Sequence, residues 1–135
     1  MKKKLNCILL VDDDEVDNYF HQIIINEMDI VNHLDIAKNG IEALAYLKKE
    51  NQLPPEIIFL DLNMPKMNGW EFLNEYKQIN EEQKAKVLIM ILTTSANVDD
   101  IKRAKEIKEV TGFETKPLTK EMLMDILKQH FQDYL

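Results

Sequence analysis

The sequence predicts an α/β protein with a doubly wound (βα)5 architecture, in which a five-stranded parallel sheet carries helices on both faces. Two observations predict this class. Short apolar runs alternate along the chain with segments of helical spacing. The two strongest runs are apolar on both faces, as strands buried in a parallel sheet are. With 135 residues, 45% of them hydrophobic, the chain fits one domain over residues 1–135 with a sizeable core.

Five segments are predicted to be the strands of this sheet. In chain order they are CILLV at 7–11, LDIA at 34–37, IIFL at 57–60, VLIMIL at 87–92 and GFET at 112–115. The fifth is the least apolar of them. Ligands in such folds bind outside the carboxyl ends of the strands, so the residues after each run are the candidates for function.

The helices are predicted from apolar spacing and from capping residues. The first should bury one face with i, i+3, i+4, i+7 spacing, made of Val16, Tyr19, Phe20, Ile23, Ile24 and Met28. Asn39 with Glu42, and Asn68 with Glu71, have the three-residue offset of a capping pair and begin the next two helices. Thr119 is expected to cap the last helix. The histidines His21, His33 and His130 lack metal-ligand spacing and are expected on the surface or on helix faces.

Composition excludes several classes of function. The formal net charge of −7 would repel phosphate backbones, so no direct nucleic-acid partner is expected. The longest apolar run is too short to cross a membrane, and the N-terminus does not have the pattern of a signal peptide. The single cysteine, Cys7, lies in an apolar run and is expected to be a buried thiol in a reducing cytoplasm.

Acids, hydroxyls and a lysine follow the predicted strands. Asp12, Asp13, Asp14 and Glu15 follow the first, Asp61 the third, Thr93, Thr94 and Ser95 the fourth, and Lys116 and Pro117 the fifth. Clustered carboxylates repel one another unless a cation neutralises them, and oxygen ligands favour Mg²⁺. Asp14 and Glu15 are expected to cap the first helix or face solvent. Lys116 would place a fixed positive charge opposite the remaining acids.

Asp61 is the candidate for chemistry at this edge. A carboxylate can attack phosphorus to form an aspartyl phosphate. Phosphoryl transfer needs mainly positioning, a metal ion and cations on the phosphoryl oxygens. The neighbouring acids, Thr93 and Lys116 could supply those parts.

Four motifs together resemble the receiver domain of bacterial two-component response regulators. They are ILLVDDDE, IIFLDLNMPKMNGWEFL, ILTTSAN and FETKPLT, and the resemblance runs in order over about residues 5–132. It implies a flavodoxin-like fold and a stand-alone, chemotaxis-regulator-like receiver, because no output domain follows in the sequence. It also implies a signalling phosphoacceptor rather than an enzyme.

The resemblance implies a role for each matching residue. Asp61 would be the phosphoacceptor, and Asp12 and Asp13 would hold Mg²⁺ together with Asp61 and the backbone carbonyl of Asn63. Thr93, rather than Thr94, would bind the phosphoryl oxygens. Lys116 would pair with the carboxylate of Asp61 or with its phosphate, and the peptide bond between Lys116 and Pro117 would be cis. Pro65 and Gly69 would shape the loop behind Asp61. Phe113 stands where many receivers have a tyrosine, so the hydroxyl of that switch residue is missing.

The implied partners are a histidine kinase or phosphotransfer protein, docking on the first helix, and an unidentified downstream protein that contacts the fourth helix, fifth strand and fifth helix. A phosphorylation-linked homodimer stays open. Two alternatives remain. One is a haloacid-dehalogenase-type phosphatase with Asp12 as nucleophile, Asp14 as general acid and Asp99 and Asp100 as metal acids; the other is a receiver fold that binds proteins without phosphorylation. A nucleotide- or flavin-binding module is disfavoured because no glycine-rich phosphate loop follows the first strand.

Overall fold

The computed structural model describes residues 2–49, 52–81, 84, 88–94 and 97–135. The strands are β1 Leu5–Val11, β2 Val31–Ala37, β3 Ile57–Leu60, β4 Leu88–Thr93 and β5 Gly112–Thr115. All five are parallel and form one sheet in the order β2-β1-β3-β4-β5. The predicted doubly wound parallel sheet is therefore confirmed.

Two strands begin earlier than the apolar runs indicated. Leu5 is fully buried and pairs with Val31, so β1 and β2 both extend towards their N-terminal ends. Exposed Asn6 interrupts the apolar run, which concealed this extension. β4 ends at Thr93, one residue later than predicted, because Thr93 pairs with Thr115. Val87, the predicted first residue of that strand, lies outside the described residues.

Helices follow each strand, and most begin where the capping residues predicted. They are α1 Glu15–Met28, α2 Gly40–Lys48, α3 Gly69–Tyr76, α4 Val98–Lys105 and α5 Lys120–His130, with a short 3-10 turn at Gln132–Tyr134. Asn39 caps α2, Thr119 caps α5, and Asn68 with Glu71 forms a complete capping box at α3. These caps satisfy backbone N–H groups that a helix start leaves unpaired.

The sheet separates two apolar layers. Residues of α2, α3 and α4, such as Leu47, Phe72 and Ala104, pack with one face of the sheet. Residues of α1 and α5, such as Ile25 and Leu123, pack with the other. Cys7 is a buried free thiol, as expected. Across the described ranges, no helix has both the length and the apolar character needed to cross a membrane.

The buried face of α1 differs from the prediction. Val16, Tyr19 and Phe20 are 62%, 61% and 57% exposed, so the first half of the predicted apolar face points to solvent. The buried residues of α1 are instead Asn18, His21 and Ile25. In the second half, Ile24 and Met28 do pack against the core, as predicted.

Polar partners explain why α1 turns this face inward. Asn18 Nδ2 donates a hydrogen bond to the carbonyl of Asp12 at 2.9 Å, and His21 Nε2 accepts one from the amide of Leu118 at 3.4 Å. Burial, followed by the nearby Lys116 ammonium, lowers the pKa of His21, which favours the neutral ring that can accept. Of the two expected positions, surface or helix face, His21 therefore occupies the second, and that face is buried because this end of the helix covers the polar end of the sheet.

Candidate functional site

The carboxyl ends of β1 and β3 bring two buried acids together. Asp12 and Asp61 directly follow these neighbouring strands and are 5% and 7% exposed. The amide of Asp61 donates a hydrogen bond to the carbonyl of Val11 at 2.9 Å, which continues the strand pairing as far as the acids. The sheet therefore fixes the relative position of the two carboxylates.

Asp13 joins these acids in a group that could hold a metal ion. One carboxylate oxygen from each of Asp12, Asp13 and Asp61 lies within 4.8 Å of the other two, and no other such group occurs among the described residues. Three hard oxygen donors fit a divalent cation such as Mg²⁺, which accepts carboxylates and keeps some of its water ligands. Asn63, whose backbone carbonyl was predicted to bind the metal, is exposed next to this group. Its backbone amide donates a hydrogen bond to the Asp61 carboxylate.

Lys116 lies among three carboxylates, and its side chain is 7% exposed. Its Nζ is 2.6 Å from Asp12 Oδ2 and 2.7 Å from Asp17 Oδ2. The distance to Asp61 Oδ1 is 3.6 Å, which is an ion pair but too long for a hydrogen bond. The ammonium is therefore held mainly by Asp12 and Asp17, and faces Asp61 from slightly farther away.

Burial and charge shift two pKa values in this cluster. Burial, followed by the neighbouring Asp12 carboxylate, raises the pKa of Asp61 to about 6, while Lys116 acts in the opposite direction. Burial lowers the pKa of Lys116, but its hydrogen bonds to Asp12 and Asp17 outweigh that effect, so the pKa is raised. Lys116 is thus a permanent cation, and Asp61 becomes a carboxylate only towards neutral pH unless more positive charge is added.

The segment at Lys116 is tied to the end of β4. The amide of Lys116 donates to the carbonyl of Thr93 at 2.7 Å, and the Lys116–Pro117 bond is cis, as the resemblance implied. Thr93 is 1% exposed, whereas Thr94 is exposed. Ser95 lies outside the described residues. Of the two threonines, Thr93 is the one enclosed beside the lysine.

Phe113 lies farther along β5 and is half-buried. It lines a cavity of about 230 Å³ between β5 and α4, together with Ile101, Ala104 and Val110. The ring also packs against the core layer on that side of the sheet. Phe113 is therefore next to free volume into which a ring could move.

The loop from Asp61 to Gly69 is tightly constrained. Lys66 follows exposed Pro65 and has a φ of 65°, in the left-handed region. The amide of Gly69 donates to the carbonyl of Leu62 at 3.0 Å. A Cβ at Gly69 would lie only 2.6 Å from the carbonyl oxygen of Asp61, so the backbone of the helix start lies directly against the backbone of Asp61. Gly69 thus permits a close approach that a side chain would block, and its φ angle is not positive.

Of the acids of the phosphatase alternative, only Asp12 belongs to the group that could hold a metal ion among the described residues. Asp14 caps α1, where its Oδ1 accepts from the amides of Val16 and Asp17 at 2.9 and 3.1 Å. Asp99 and Asp100 lie in the first turn of α4, and the amide of Asp100 donates to the capping Asn97. None of these three acids joins Asp12, Asp13 and Asp61 in the metal-fitting group, the one group of described residues that could hold a metal ion. The geometry therefore gathers the acids around Asp61 and favours a capping role for Asp14, as expected.

Asp17 is the residue at this site that the motifs did not indicate. It was not distinguished from the other acids of α1, although it contacts Lys116 across 99 residues of sequence. The expected capping role of Asp14 is the sequence feature from which the position of Asp17 could be predicted. It places Asp17 in the first turn of α1, four residues after Asp13, where a side chain can point back towards the end of the sheet.

Comparisons with known proteins agree with this geometry. The profile of the response regulator receiver domain matches residues 8–128. Response regulator Rcp1 of Synechocystis is 40% identical over 98 residues, which are 70% of this chain and 65% of that protein. Sporulation initiation phosphotransferase F of Bacillus subtilis is 31% identical, with 91% of each chain covered.

Solved structures give the same assignment. A two-component response regulator from Cytophaga hutchinsonii superposes with a TM-score of 0.84 and 29% identity, covering 94% of this chain and 97% of its own. The Mn²⁺-bound form of Rcp1 superposes with a TM-score of 0.73 and 32% identity, covering 91% and 92%. With its five-stranded parallel sheet and its acids and lysine at the sheet edge, this chain belongs to the response regulator receiver domain family.

Proposed function

We propose that this receiver domain accepts a phosphoryl group on Asp61 from a histidine kinase or a phosphotransfer protein. The observation that carries the proposal is the position of Asp61, a buried acid that belongs to the group of carboxylates fit for a divalent cation and also faces the Lys116 ammonium. Charge neutralisation from two directions is what transfer of a phosphoryl group requires. The similarity to the Bacillus sporulation initiation phosphotransferase F supports a role in phosphoryl transfer.

In the proposed reaction an oxygen of ionised Asp61 forms a bond to phosphorus while the bond from phosphorus to the donor nitrogen breaks. Asp12, Asp13, Asp61 and the carbonyl of Asn63 would hold Mg²⁺, which would offset charge on the phosphoryl oxygens. The Mn²⁺-bound Rcp1 structure supports a divalent metal at such a site. Lys116 supplies a second, permanent positive charge near Asp61.

The downstream protein would bind to the face formed by α4, β5 and α5. Phosphorylation adds roughly two negative charges at Asp61. Thr93, which is buried and bonded through its carbonyl to Lys116, would turn its hydroxyl towards them. The cavity beside Phe113 would let that ring change position, so that a second packing of α4 becomes favoured and a downstream protein can bind. The module would act in the cytoplasm, as a signalling phosphoacceptor rather than as an enzyme.

Intact-mass analysis tests this function directly. Wild type and Asp61→Asn are incubated with acetyl phosphate, with and without Mg²⁺. Wild type should gain one phosphoryl group only when Mg²⁺ is present, and the variant should gain none. Labelling of Asp61→Asn together with loss of label in Asp12→Asn would instead establish the phosphatase alternative. If a phosphorylated histidine kinase also fails to label wild type, the chain acts as a binding module without phosphorylation.

The exposed side chains on α1 suggest where the donor docks. Val16, Tyr19 and Phe20 form an apolar patch on the first half of α1, next to the end of the sheet that carries Asp61. Tyr19 and Phe20 contact each other edge to face, with ring centroids 5.7 Å apart. Exposed aromatic residues that are not needed for the core commonly mark a protein interface. We propose that the phosphodonor covers this patch.

Phe20→Ser should separate docking from chemistry. We expect roughly a tenfold lower kcat/KM for transfer from a phosphorylated kinase, because an aromatic anchor in an interface contributes on the order of 1–2 kcal/mol. The labelling rate with acetyl phosphate should not change, because Phe20 does not contact the carboxylate cluster. Leu53→Ser is the matched control, since Leu53 is 60% exposed in the segment before β3. Equal losses in the two variants would contradict this docking surface.

A further inference from the structure

Asp17 has a contact that the proposed reaction does not yet explain. Its Oδ2 is 2.7 Å from Lys116 Nζ, and its side chain is 31% exposed. It does not belong to the group of acids that could hold a divalent cation among the described residues. Any role of Asp17 at this site therefore passes through Lys116.

Two carboxylates determine where the ammonium points. A lysine ammonium has three N–H donors, and Asp12 and Asp17 accept from two directions at 2.6 and 2.7 Å. Asp61 Oδ1 lies at 3.6 Å from the same Nζ, the longest of the three distances. A flexible lysine side chain held at two points loses the freedom to swing away from Asp61.

The two anchors are not equivalent. Asp12 belongs both to this pair and to the metal-fitting group, so its oxygens would be divided between Lys116 and a bound cation. Asp17 lies outside that group and can keep its bond to Lys116 whether or not a cation is present. Asp17, on α1, is therefore the carboxylate that contacts Lys116 without also belonging to the metal-fitting group. It is not among the residues implied by the family motifs.

We propose that Asp17 is a positioning residue, which holds Lys116 Nζ on the Asp61 side of the site and thereby raises the rate at which Asp61 gains its phosphoryl group. This inference rests on the proposed phosphoacceptor role of Asp61. Asp17 touches neither Asp61 nor the incoming group in this arrangement. It acts by restricting the position of the ammonium that does.

The test measures labelling rates with acetyl phosphate at a fixed, saturating Mg²⁺ concentration. Asp17→Asn should slow labelling about fivefold, since coupling between contacting charged residues is commonly on the order of 1 kcal/mol. Glu15→Gln is the matched control, because it removes one acidic charge from the same helix where the carboxylate is 85% exposed and 3.7 Å from Lys38. It should label at the wild-type rate. Asp17→Glu keeps a carboxylate that can reach Lys116 and should recover at least half of the lost rate.

A double-mutant cycle distinguishes positioning from a general effect of charge or folding. In a Lys116→Met background, Asp17→Asn should change the labelling rate no further, because the group that it positions is absent. An equal slowing in both backgrounds would overturn the proposal. If wild type takes up no phosphoryl group, the proposed function fails and this inference with it. If wild type is labelled and Asp17→Asn is labelled equally fast or faster, only this inference fails.

Discussion

Replacing Lys116 with methionine is expected to lower the free energy of unfolding by about 3–5 kcal/mol at pH 7.5 without divalent cations, the usual cost of breaking a buried ion pair. The substitution removes the cation shared by Asp12, Asp17 and Asp61. Asp12 and Asp61 have side chains that are only 7% and 8% exposed, so water cannot replace that charge. Chemical denaturation with urea measures the loss.

The loss of unfolding free energy in Lys116→Met should increase as pH rises. The pKa of Asp61 is raised to about 6 in the folded protein, above the ordinary aspartate value of 3.8. The folded state therefore binds the proton more tightly than the unfolded state, and stability falls as pH rises through this range. Without Lys116, which acts to lower this pKa, the fall should extend to higher pH. The difference between wild type and Lys116→Met should thus be smaller at pH 5 than at pH 7.5.

Added Mg²⁺ and an exposed lysine provide the controls. A divalent cation held by Asp12, Asp13 and Asp61 would restore positive charge, so Mg²⁺ should stabilise Lys116→Met more than it stabilises wild type. Lys4→Met removes a lysine of similar geometry at the surface, where Nζ is 2.7 Å from Asp29 Oδ1 and both side chains are largely exposed. Its effect should stay below about 1 kcal/mol. A loss as small as this in Lys116→Met would contradict the role of Lys116 as the counter-charge.

The strands and helix starts that could be predicted from sequence are those that depend on a short local pattern of residues. Apolar runs identified β1, β3 and β4 most clearly, because strands buried on both faces leave no other pattern. β2 and β5 are only partly buried, and their predicted segments were correspondingly less apolar. Asn39, Asn68 and Thr119 identified helix starts, because each side chain bonds an amide three residues later. The strand ends then brought Asp12 and Asp61 together, because neighbouring parallel strands end at one edge.

The parts that did not follow depend on partners far away in sequence. The spacing of Val16, Tyr19 and Phe20 is that of a buried helix face, yet these side chains are exposed. Asn18 and His21 are buried because the Asp12 carbonyl and the Leu118 amide need partners there, which apolar spacing cannot reveal. The contact of Asp17 with Lys116 could not be predicted from sequence either, because the two residues are 99 positions apart and meet only in the folded chain. Sequence patterns located the site, but the second anchor of its lysine required tertiary structure.

Gly69→Ala is expected to lower the free energy of unfolding by about 3 kcal/mol, the range for overpacking against atoms that cannot move away. Gly69 is the first residue of α3, where alanine would normally be the better helix former. Here the added Cβ would lie 2.6 Å from the carbonyl oxygen of Asp61 and 2.9 Å from Cα of Leu62. Both are backbone atoms at the end of a central strand, so the loop itself would have to shift. Thermal or urea unfolding measures the loss.

Gly112→Ala is the matched comparison, because its added Cβ would come equally close to a different kind of neighbour. It would lie 2.6 and 2.9 Å from Cε and Sδ of Met90, the flexible end of a side chain that can rotate away. We expect this variant to lose less than about 1 kcal/mol. Gly69→Ala should also slow labelling by acetyl phosphate, because the shifted backbone belongs to Asp61 itself, whereas Gly112→Ala should not. Similar losses of stability in the two variants would mean that the loop behind Asp61 is compliant, and that its constrained geometry does not position Asp61.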